Sequence, residues 1–335
     1  MSNERIKISI IGTGRMGFYH ARLLARLGYL DCIVDSNTQI SRNTGEKFGV
    51  PWYSSLNTMI EERSPNGVII SVPTQIHSQT ALEVVDKVAG LKAMLIEKPV
   101  TSSVKEAIDL KEKLKQTKIK VVIGHIEIFN PVITRIQQIL NQDIIGDLRS
   151  VLFQRRGAVA EERIESIGDC YQDIGVHDFD VASRILPKGK IRLFSSAVKV
   201  NRVANSSVIV LSSEKGNFHA SFVMSREYAG KLRTIDIEGT KATLFANLLT
   251  QILKLRNLEI ILGEKDISAI RIPFSYGEQI KVYGEPLLHE MLHFIDCIRN
   301  KTEPLVSIDD GIKALKLVEA ARRSIMTRNV IHLEI

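Results

Sequence analysis

Short apolar runs alternate with amphipathic, helix-like segments over the first 123 residues. The strand-like runs cover residues 6–11, 31–34, 67–72, 93–96 and 120–123, and helix-like segments at 18–27, 75–88 and 103–116 lie between them. Continuous apolar runs are typical of strands buried on both faces. Strands that alternate with helices predict a doubly wound parallel sheet with right-handed crossovers, so we expect an N-terminal α/β domain over residues 1–123.

The pattern changes after about Gly124. A strand is predicted at 148–159 and helices at 132–140 and 171–186. Shorter strands follow at 191–200, 208–211, 218–224 and 232–237, with more up to residue 263. Turns at 214–217 and 238–240 favour hairpins, and two helices at 287–299 and 309–326 close the chain. We predict an α+β domain over residues 124–335 with an open, mostly antiparallel sheet. An open sheet face commonly mates with another subunit, so a homodimer or homotetramer through this sheet is expected.

The turn after the first strand has the spacing G-x-G-x-x-G at Gly12, Gly14 and Gly17. The first glycine permits a tight turn, the second lets a pyrophosphate approach the backbone, and the third lets the helix pack closely on the strand. The helix N-terminus supplies free N–H groups for the phosphates. The flanking strand and helix favour a Rossmann dinucleotide site over a plain glycine turn. The residues expected to hold the pyrophosphate are Gly12, Thr13, Gly14, Arg15 and Met16.

An acidic residue, Asp35, ends the second strand about twenty residues after the turn. In that place it binds the ribose hydroxyls of NAD and repels the 2′-phosphate of NADP. Ser36 and Asn37 follow it, and neither is an arginine that would hold that phosphate. The alternative is that Asp35 only caps the next helix. We favour NAD as the cofactor.

Composition and charge narrow the class of protein. The chain has 335 residues and a formal net charge of +7, but its basic residues are spread out rather than clustered with aromatic ones. A nucleic-acid partner is therefore not expected. We find no apolar run long enough to span a membrane and no secretory signal, so no membrane partner is expected. Three well-separated cysteines suit a reducing, cytoplasmic location.

A second group of candidate residues lies in the helix predicted at 171–186. Asp173, His177 and Asp180 fall at i, i+4 and i+7, on one helix face. A histidine between carboxylates is held in orientation and has its charged form favoured, as a general base for an alcohol needs. A solvated face that pairs locally explains the same spacing equally well.

A competing motif lies in the helix predicted at 287–299. His289-Glu290-Met291-Leu292-His293 matches H-E-x-x-H, the zinc metalloprotease helix. Only scattered acidic residues follow it, without a distinct third ligand. The helix also has a full apolar face, which makes it a packing element. We therefore expect no metal.

These motifs together resemble the glucose–fructose oxidoreductase, inositol dehydrogenase and MocA family over nearly the whole chain. The resemblance rests on the glycine turn, on residues 73–77 after the fourth strand, on Glu97-Lys98-Pro99 after the fifth, and on Asp173-x-x-x-His177. It implies that Lys98 binds the reacting oxygen, that His177 is the general acid/base, and that Asp173 holds the substrate. It also implies that Pro73, His77 and Glu97 line the nicotinamide half of the cofactor, and that the Lys98–Pro99 bond is cis.

The segment from Gly124 to Pro131 resembles a subgroup that includes UDP-N-acetylglucosamine 3-dehydrogenases, although that subgroup usually has an arginine in place of Ile128. Glu127, Asn130 and Arg156 are the substrate-binding candidates. Arg155 and Arg156 either meet a diphosphate or are surface charges at a strand end.

The resemblance implies an NAD-dependent dehydrogenase of a secondary alcohol of a sugar, a nucleotide sugar (UDP-N-acetylglucosamine at its 3-position, for example) or a cyclitol. Two alternatives remain open. One is a glycosidase or lyase that oxidises its substrate transiently with a retained NAD. The other is a dinucleotide-binding regulator without turnover, although such a protein has no need of Lys98, Asp173 and His177.

Overall fold

The computed structural model describes residues 5–164, 167–257 and 278–335. By its contacts the chain divides into two compact units. The first comprises the chain up to Ile126 and Glu285–Leu315, and the second comprises Glu127–Gly284 and Lys316–Ile335. The predicted strands between residues 258 and 263 lie outside the described residues.

A parallel sheet forms the centre of the first unit. Its described strands are β1 (Ile8–Ile11), β2 (Leu30–Val34), β3 (Trp52–Tyr53), β4 (Gly67–Ile70), β5 (Ala93–Glu97) and β6 (Lys120–Gly124). They lie in the order β3-β2-β1-β4-β5-β6, and every pairing is parallel. The order reverses between β1 and β4, and ligands of such sheets bind at that switch point, beyond the carboxyl ends of the strands. The predicted doubly wound sheet is confirmed.

The helices of the first unit begin and end at residues suited to those positions. They are α1 (Arg15–Leu27), α2 (Thr38–Phe48), α3 (Leu56–Ile60), α4 (His77–Lys87) and α5 (Val104–Leu114). Asn37 and Ser103 accept backbone N–H groups at the starts of α2 and α5, and Gly28 ends α1 in the left-handed conformation. A 3₁₀ turn at Thr74–Ile76 precedes α4.

One late helix belongs to the first unit, whereas the sequence pattern placed it in the second domain. The second unit contains α6 (Pro131–Asn141), α7 (Glu161–Ile164) and α8 (Val176–Ile185). The next helix along the chain, α9 (Pro286–Asn300), belongs to the first unit. Met291, Phe294 and Ile298 of α9 are buried in one apolar cluster with β1 and α1. Gly67 makes room for it, since a Cβ there would lie 2.5 Å from Ile298 Cδ1. The sequence pattern did not predict that the chain comes back to the first unit after residue 284. The last helix, α10, spans Ile308–Thr327.

A large, mostly antiparallel sheet forms the second unit, as predicted. Its described strands are β7 (Leu148–Ala158), β8 (Lys190–Val200), β9 (Val203–Ser213), β10 (His219–Ser225), β11 (Glu227–Gly239), β12 (Ala242–Asn247), β13 (Ile252–Asn257), β14 (Glu278–Lys281) and β15 (Ile331–Glu334). Their order is β14-β13-β12-β11-β7-β10-β9-β8-β15. The pairing of β7 with β10 is parallel, and the other described pairings are antiparallel.

The two faces of this sheet differ because side chains alternate along each strand. Val151, Phe153 and Arg155 of β7 are buried on one face, which we call the inner face. On this face, Phe153 of β7 and Phe179 of α8 both pack against Phe222 of β10. The opposite, open face exposes large apolar side chains, namely Phe194, Val198, Val208 and Val210.

Among the described residues, the helices are all too short or too polar to cross a membrane.

Candidate functional site

Each unit carries its own group of candidate residues. In the first unit the glycine turn has the geometry that a pyrophosphate requires. Gly12 has φ +86°, and a Cβ on it would lie 2.7 Å from the Val72 nitrogen. A Cβ on Gly17 would lie 2.0 Å from the Gly12 carbonyl oxygen, so α1 packs directly on the turn. A Cβ on Gly14 would meet no described atom within 4 Å, so the space beside that backbone is open. No described side chain caps the start of α1, whose N–H groups are therefore available to an anion.

Asp35 is tied to this turn as well as standing at the end of β2. The Thr13 backbone N–H donates to Asp35 Oδ2 over 2.7 Å, and the Thr13 hydroxyl donates to the same oxygen over 3.1 Å. The other oxygen accepts the Asn37 N–H at 2.9 Å. Asn37, rather than Asp35, caps α2 with its side chain. Asp35 therefore supports the glycine turn, and it remains half-buried at the crevice edge, where a ribose would lie.

His77 is buried beneath the ends of two neighbouring strands. Its Nδ1 lies 2.9 Å from the carbonyl oxygen of Pro99, and its Nε2 lies 2.9 Å from that of Val72. Burial lowers the pKa of His77, although the two carbonyls act in the opposite direction. The ring therefore fastens the chain after β4 to the chain after β5. Pro73, by contrast, is exposed.

Glu97 links the helix after the glycine turn to Lys98. Glu97 Oε1 lies 2.7 Å from Nε2 of His20, which is fully buried on α1. Glu97 Oε2 accepts the backbone N–H of Lys98 at 3.2 Å. The Lys98–Pro99 peptide is cis, as predicted, and the Lys98 side chain is half-buried. Gly124 leaves room for this carboxyl, since a Cβ there would lie 3.3 Å from Glu97 Oε2. No sequence motif pointed to His20.

The H-E-x-x-H segment on α9 is used differently from a zinc site. His293 Nε2 accepts the backbone N–H of Leu305 at 2.9 Å, and Cys297 Sγ lies 3.5 Å from the same nitrogen. Glu290 is fully buried within the first unit, and burial together with the charge of Glu97 raises its pKa well above the ordinary value. Within the described ranges, no cluster of His, Cys, Asp or Glu side chains is arranged to hold a metal ion.

In the second unit, Asp173 lies on an unusually wide helical turn, and His177 follows it in α8. Tyr171–Gly175 is π-helical and continues into α8, and such turns are frequent at functional sites. Gly175 brings the turn against β10, since a Cβ there would lie 2.7 Å from Met224 Sδ. Both candidate side chains are half-buried. Asp180, expected on the same face, is instead buried and lies 3.5 Å from Arg184.

A buried arginine that the sequence did not single out holds this turn. Arg226 follows β10, and its Nη1 lies 3.5 Å from Asp173 Oδ2. The same guanidinium donates to Asn205 Oδ1 over 2.8 Å and to the Gly168 carbonyl over 2.7 Å. Its side chain is 0% exposed, against 22% for Asp173. A lone arginine at a strand end has no sequence signature, because its partners come from distant parts of the chain.

Glu127 is the centre of a second buried charge network. Its Oε1 accepts from Arg155 Nη1 at 2.9 Å and from Arg233 Nη1 at 3.0 Å. Burial alone would raise the pKa of Glu127, but the charges of the two arginines outweigh it and the pKa is lowered. Arg155 also bonds Asp178 at 2.8 Å, where burial prevails and raises the pKa of that carboxyl. Asn130 caps α6 and donates to the Leu248 carbonyl. Glu127 and Asn130 therefore support the inner face.

The two neighbouring arginines of β7 point to opposite faces of the sheet. Arg155 is buried on the inner face with α8, whereas Arg156 lies on the open face, with its guanidinium 5.2 Å from the Tyr228 ring centre. Arg233 of β11 pairs in register with Arg155 and shares its face. The predicted contact of Arg156 with substrate therefore falls on the side of the sheet away from His177. Arg233, which the sequence did not single out, is on the same side as His177.

The open space beside Gly14 leads to a prediction in which cofactor affinity changes and thermal stability does not. Gly14→Ala adds a methyl group where the pyrophosphate would approach, but it clashes with no described atom. We expect its melting temperature to match that of the unaltered protein while its dissociation constant for NAD rises about tenfold or more, as measured by calorimetric titration. Gly17→Ala is the matched comparison, and it should lose thermal stability as well. Unchanged NAD affinity in Gly14→Ala would place the pyrophosphate elsewhere.

Comparison with known proteins agrees with this architecture. Residues 6–125 match the model of an oxidoreductase family with an NAD-binding Rossmann fold, and residues 137–333 match that family's C-terminal α/β domain. The chain is 24% identical to the scyllo-inositol 2-dehydrogenase (NAD(+)) of Bacillus subtilis, over 99% of this chain and 97% of the relative.

Solved structures share the fold. The UDP-N-acetylglucosamine 3-dehydrogenase of Acidithiobacillus ferrooxidans superposes with a TM-score of 0.81 at 20% identity, over 96% of this chain and 98% of the other. A scyllo-inositol dehydrogenase from Lactobacillus casei, solved with NAD(H) and scyllo-inositol, gives 0.79 at 18% identity over 98% and 99% of the two chains. With both domains matched, the chain belongs to the glucose–fructose oxidoreductase, inositol dehydrogenase and MocA family of NAD-binding oxidoreductases.

Proposed function

We propose that this protein is an NAD-dependent dehydrogenase that oxidises a secondary alcohol on a polyhydroxylated ring, either a cyclitol or a sugar carried by a nucleotide. The observation that carries the proposal is the placement of Lys98 directly after β5. Glu97, which contacts His20 of α1, also accepts the backbone N–H of Lys98. Such an arrangement supports chemistry at the cofactor rather than binding alone. The relatives named as inositol dehydrogenases, which match over nearly the whole chain, support the same class.

In this proposal, different residues of the chain bind the cofactor, bind the substrate and transfer the proton. The glycine turn binds the pyrophosphate and Asp35 the ribose, while Pro73, His77 and Glu97 line the nicotinamide half. The chemistry that NAD would supply when bound is the acceptance of a hydride from the alcohol carbon. Lys98 donates a hydrogen bond to the reacting oxygen and stabilises its developing negative charge. His177 takes the hydroxyl proton, which suits a group whose ordinary pKa is near neutrality. Asp173, steadied by Arg226, orients the substrate.

Lys98→Ala tests this assignment directly. Loss of the ammonium removes stabilisation that matters only as the oxygen becomes negative, so turnover should fall about 100-fold or more while NAD affinity changes little. The measurement is NADH formation with myo-inositol, scyllo-inositol and UDP-N-acetylglucosamine. Lys92→Ala, at the opposite end of β5, is the matched control and should retain turnover.

The outcomes of this assay also separate the rival functions. Undiminished turnover in Lys98→Ala would remove Lys98 from the mechanism. Product formation without net NADH would favour transient oxidation by a glycosidase or lyase. Binding of NAD without reduction by any substrate of a broad polyol and nucleotide-sugar panel would favour a regulator.

Arg233 distinguishes a nucleotide sugar from a cyclitol in this proposal. It is the accessible member of the Glu127 network: its side chain is 42% exposed, whereas that of Arg155 is 4% exposed. Its bond to Glu127 uses Nη1, and a guanidinium has further N–H donors in a planar fork suited to phosphate. We therefore assign to Arg233, rather than to Arg156, the contact with a substrate diphosphate.

Arg233→Gln should raise KM for UDP-N-acetylglucosamine about tenfold or more, because a charged hydrogen bond to the diphosphate is lost. KM for the uncharged inositols should change less than about twofold. Steady-state kinetics with both substrates measures the difference, and Arg156→Gln on the open face is the control. An equal loss with the inositols would show that Arg233 supports the fold rather than the diphosphate.

We further propose that a second copy of the chain covers the open face of the large sheet, in a homodimer or homotetramer. This face presents Phe194, Val198, Val208 and Val210, each at least 44% exposed. Such an exposed apolar patch on a sheet face suits self-association. We place the assembly in the cytoplasm, since its three cysteines are buried free thiols.

Val208→Glu combined with Val210→Glu should reduce the assembly to monomers, because each new carboxylate would be buried without a partner. Light scattering after size exclusion measures the mass. Leu249→Glu, at an exposed apolar position outside the strands, is the control and should leave the mass unchanged. A monomeric unaltered protein would contradict the proposal at once.

A further inference from the structure

Two hydrogen bonds hold Thr13 of the glycine turn to Asp35 at the end of β2. The Thr13 backbone N–H donates to Asp35 Oδ2 over 2.7 Å, and the Thr13 hydroxyl donates to the same oxygen over 3.1 Å. Thr13 is buried, at 5% exposure. Because its N–H already has an acceptor, Thr13 is better placed to support Asp35 than to bind the pyrophosphate. A glycine turn needs no hydroxyl at this position, so the second bond calls for a role.

The bonds on Asp35 leave one of its acceptor positions open. A carboxylate has about four such positions, two on each oxygen. Thr13 occupies both positions of Oδ2, and the Asn37 N–H occupies one position of Oδ1 at 2.9 Å. These three are the donors that reach Asp35 among the described residues. The open position is therefore on Oδ1, where the half-buried carboxylate has room to accept a ribose hydroxyl.

A carboxylate fixed in this way distinguishes two kinds of ribose. The 2′-hydroxyl of NAD can donate to it, whereas the 2′-phosphate of NADP is negatively charged and supplies acceptor oxygens. Two negative groups at hydrogen-bond distance repel each other, and the repulsion is largest when neither can turn away. Without the Thr13 hydroxyl, the Asp35 carboxylate would be freer to turn. Its bond to NAD would weaken, and its repulsion of NADP would decrease.

We propose that Thr13 is a positioning residue for cofactor selectivity, whose hydroxyl fixes Asp35 in the orientation that favours NAD over NADP. The inference rests on the proposed function only for the placement of the ribose at Asp35. It predicts a change in the ratio of the two cofactor affinities. A role of Thr13 in the shape of the turn or in pyrophosphate binding would change both affinities alike, because NAD and NADP share that part of the molecule.

The first measurement is calorimetric titration of Thr13→Val, which lacks the hydroxyl and keeps the backbone N–H, with NAD and with NADP. The dissociation constant should rise about threefold for NAD and fall about threefold for NADP, so that the preference for NAD decreases about tenfold. Thr13→Ser retains a hydroxyl and should retain the preference. Thr44→Val on α2, at a position that is also 5% exposed, is the matched control and should retain it too. An unchanged ratio in Thr13→Val would overturn the proposal.

A double-mutant cycle tests whether Thr13 acts through Asp35. Asp35→Ala should by itself remove most of the preference for NAD. If Thr13 acts by orienting this carboxylate, adding Thr13→Val to Asp35→Ala should change the ratio of affinities by less than about twofold. A decrease of about tenfold in both backgrounds would refute the positioning role.

Amide hydrogen exchange tests the fixed orientation without any cofactor. The amide of residue 13 donates to Asp35 Oδ2, so a carboxylate that turns more freely should leave this amide unprotected more often. The protection factor of the amide should fall about threefold or more in Thr13→Val and stay unchanged in Thr13→Ser. Equal protection in Thr13→Val and the unaltered protein would contradict the proposal. A protein that binds neither NAD nor NADP would refute the proposed function, and this measurement would still decide whether Thr13 positions Asp35.

Discussion

The close approach of α1 to the glycine turn is the contact on which the cofactor-binding end of the first unit depends. A Cβ at Gly17 would lie 2.0 Å from the Gly12 carbonyl oxygen, so only glycine lets the helix start there. That placement directs the N–H groups at the start of α1 towards the open space beside Gly14. It also carries His20 to Glu97, at the end of a strand two positions away in the sheet. One backbone contact thus sets both the phosphate site and the support of Lys98.

The second unit is organised around buried arginines instead of glycines. Arg226 holds the π-helical turn that carries Asp173, and Arg155 joins Glu127 to Asp178 beneath α8. Burying such charges is costly, and each guanidinium is stable there only because its neighbours accept several of its N–H groups. Removing one partner would leave a buried charge unpaired. These networks therefore hold the π-helical turn and α8 in one arrangement. Such rigidity suits the roles proposed for His177 and Asp173.

Many of the candidate residues were indicated by local patterns. The glycine spacing, Asp35, Glu97-Lys98-Pro99 and Asp173-x-x-x-His177 each lie on one element or at its end, and alternation of strands and helices predicted the parallel sheet. The sequence also predicts that side chains alternate between the two faces along β7. It does not show which face is covered, because only the helix packed on the sheet decides whether Arg155 or Arg156 is buried. The H-E-x-x-H segment, which the sequence analysis set aside as a zinc site, has a local role instead, since His293 accepts the Leu305 N–H.

By itself, the sequence determined that the chain has an NAD-binding α/β unit followed by a mostly antiparallel sheet, and it located the lysine and the histidine proposed for the reaction. Those conclusions follow from hydrophobic periodicity and short motifs, which act within one or two elements. The tertiary structure alone decided that α9 returns to the first unit and that Arg233 rather than Arg156 shares a face with His177. The reason is that burial and charge pairing depend on which distant segments pack together, and no local pattern records that choice.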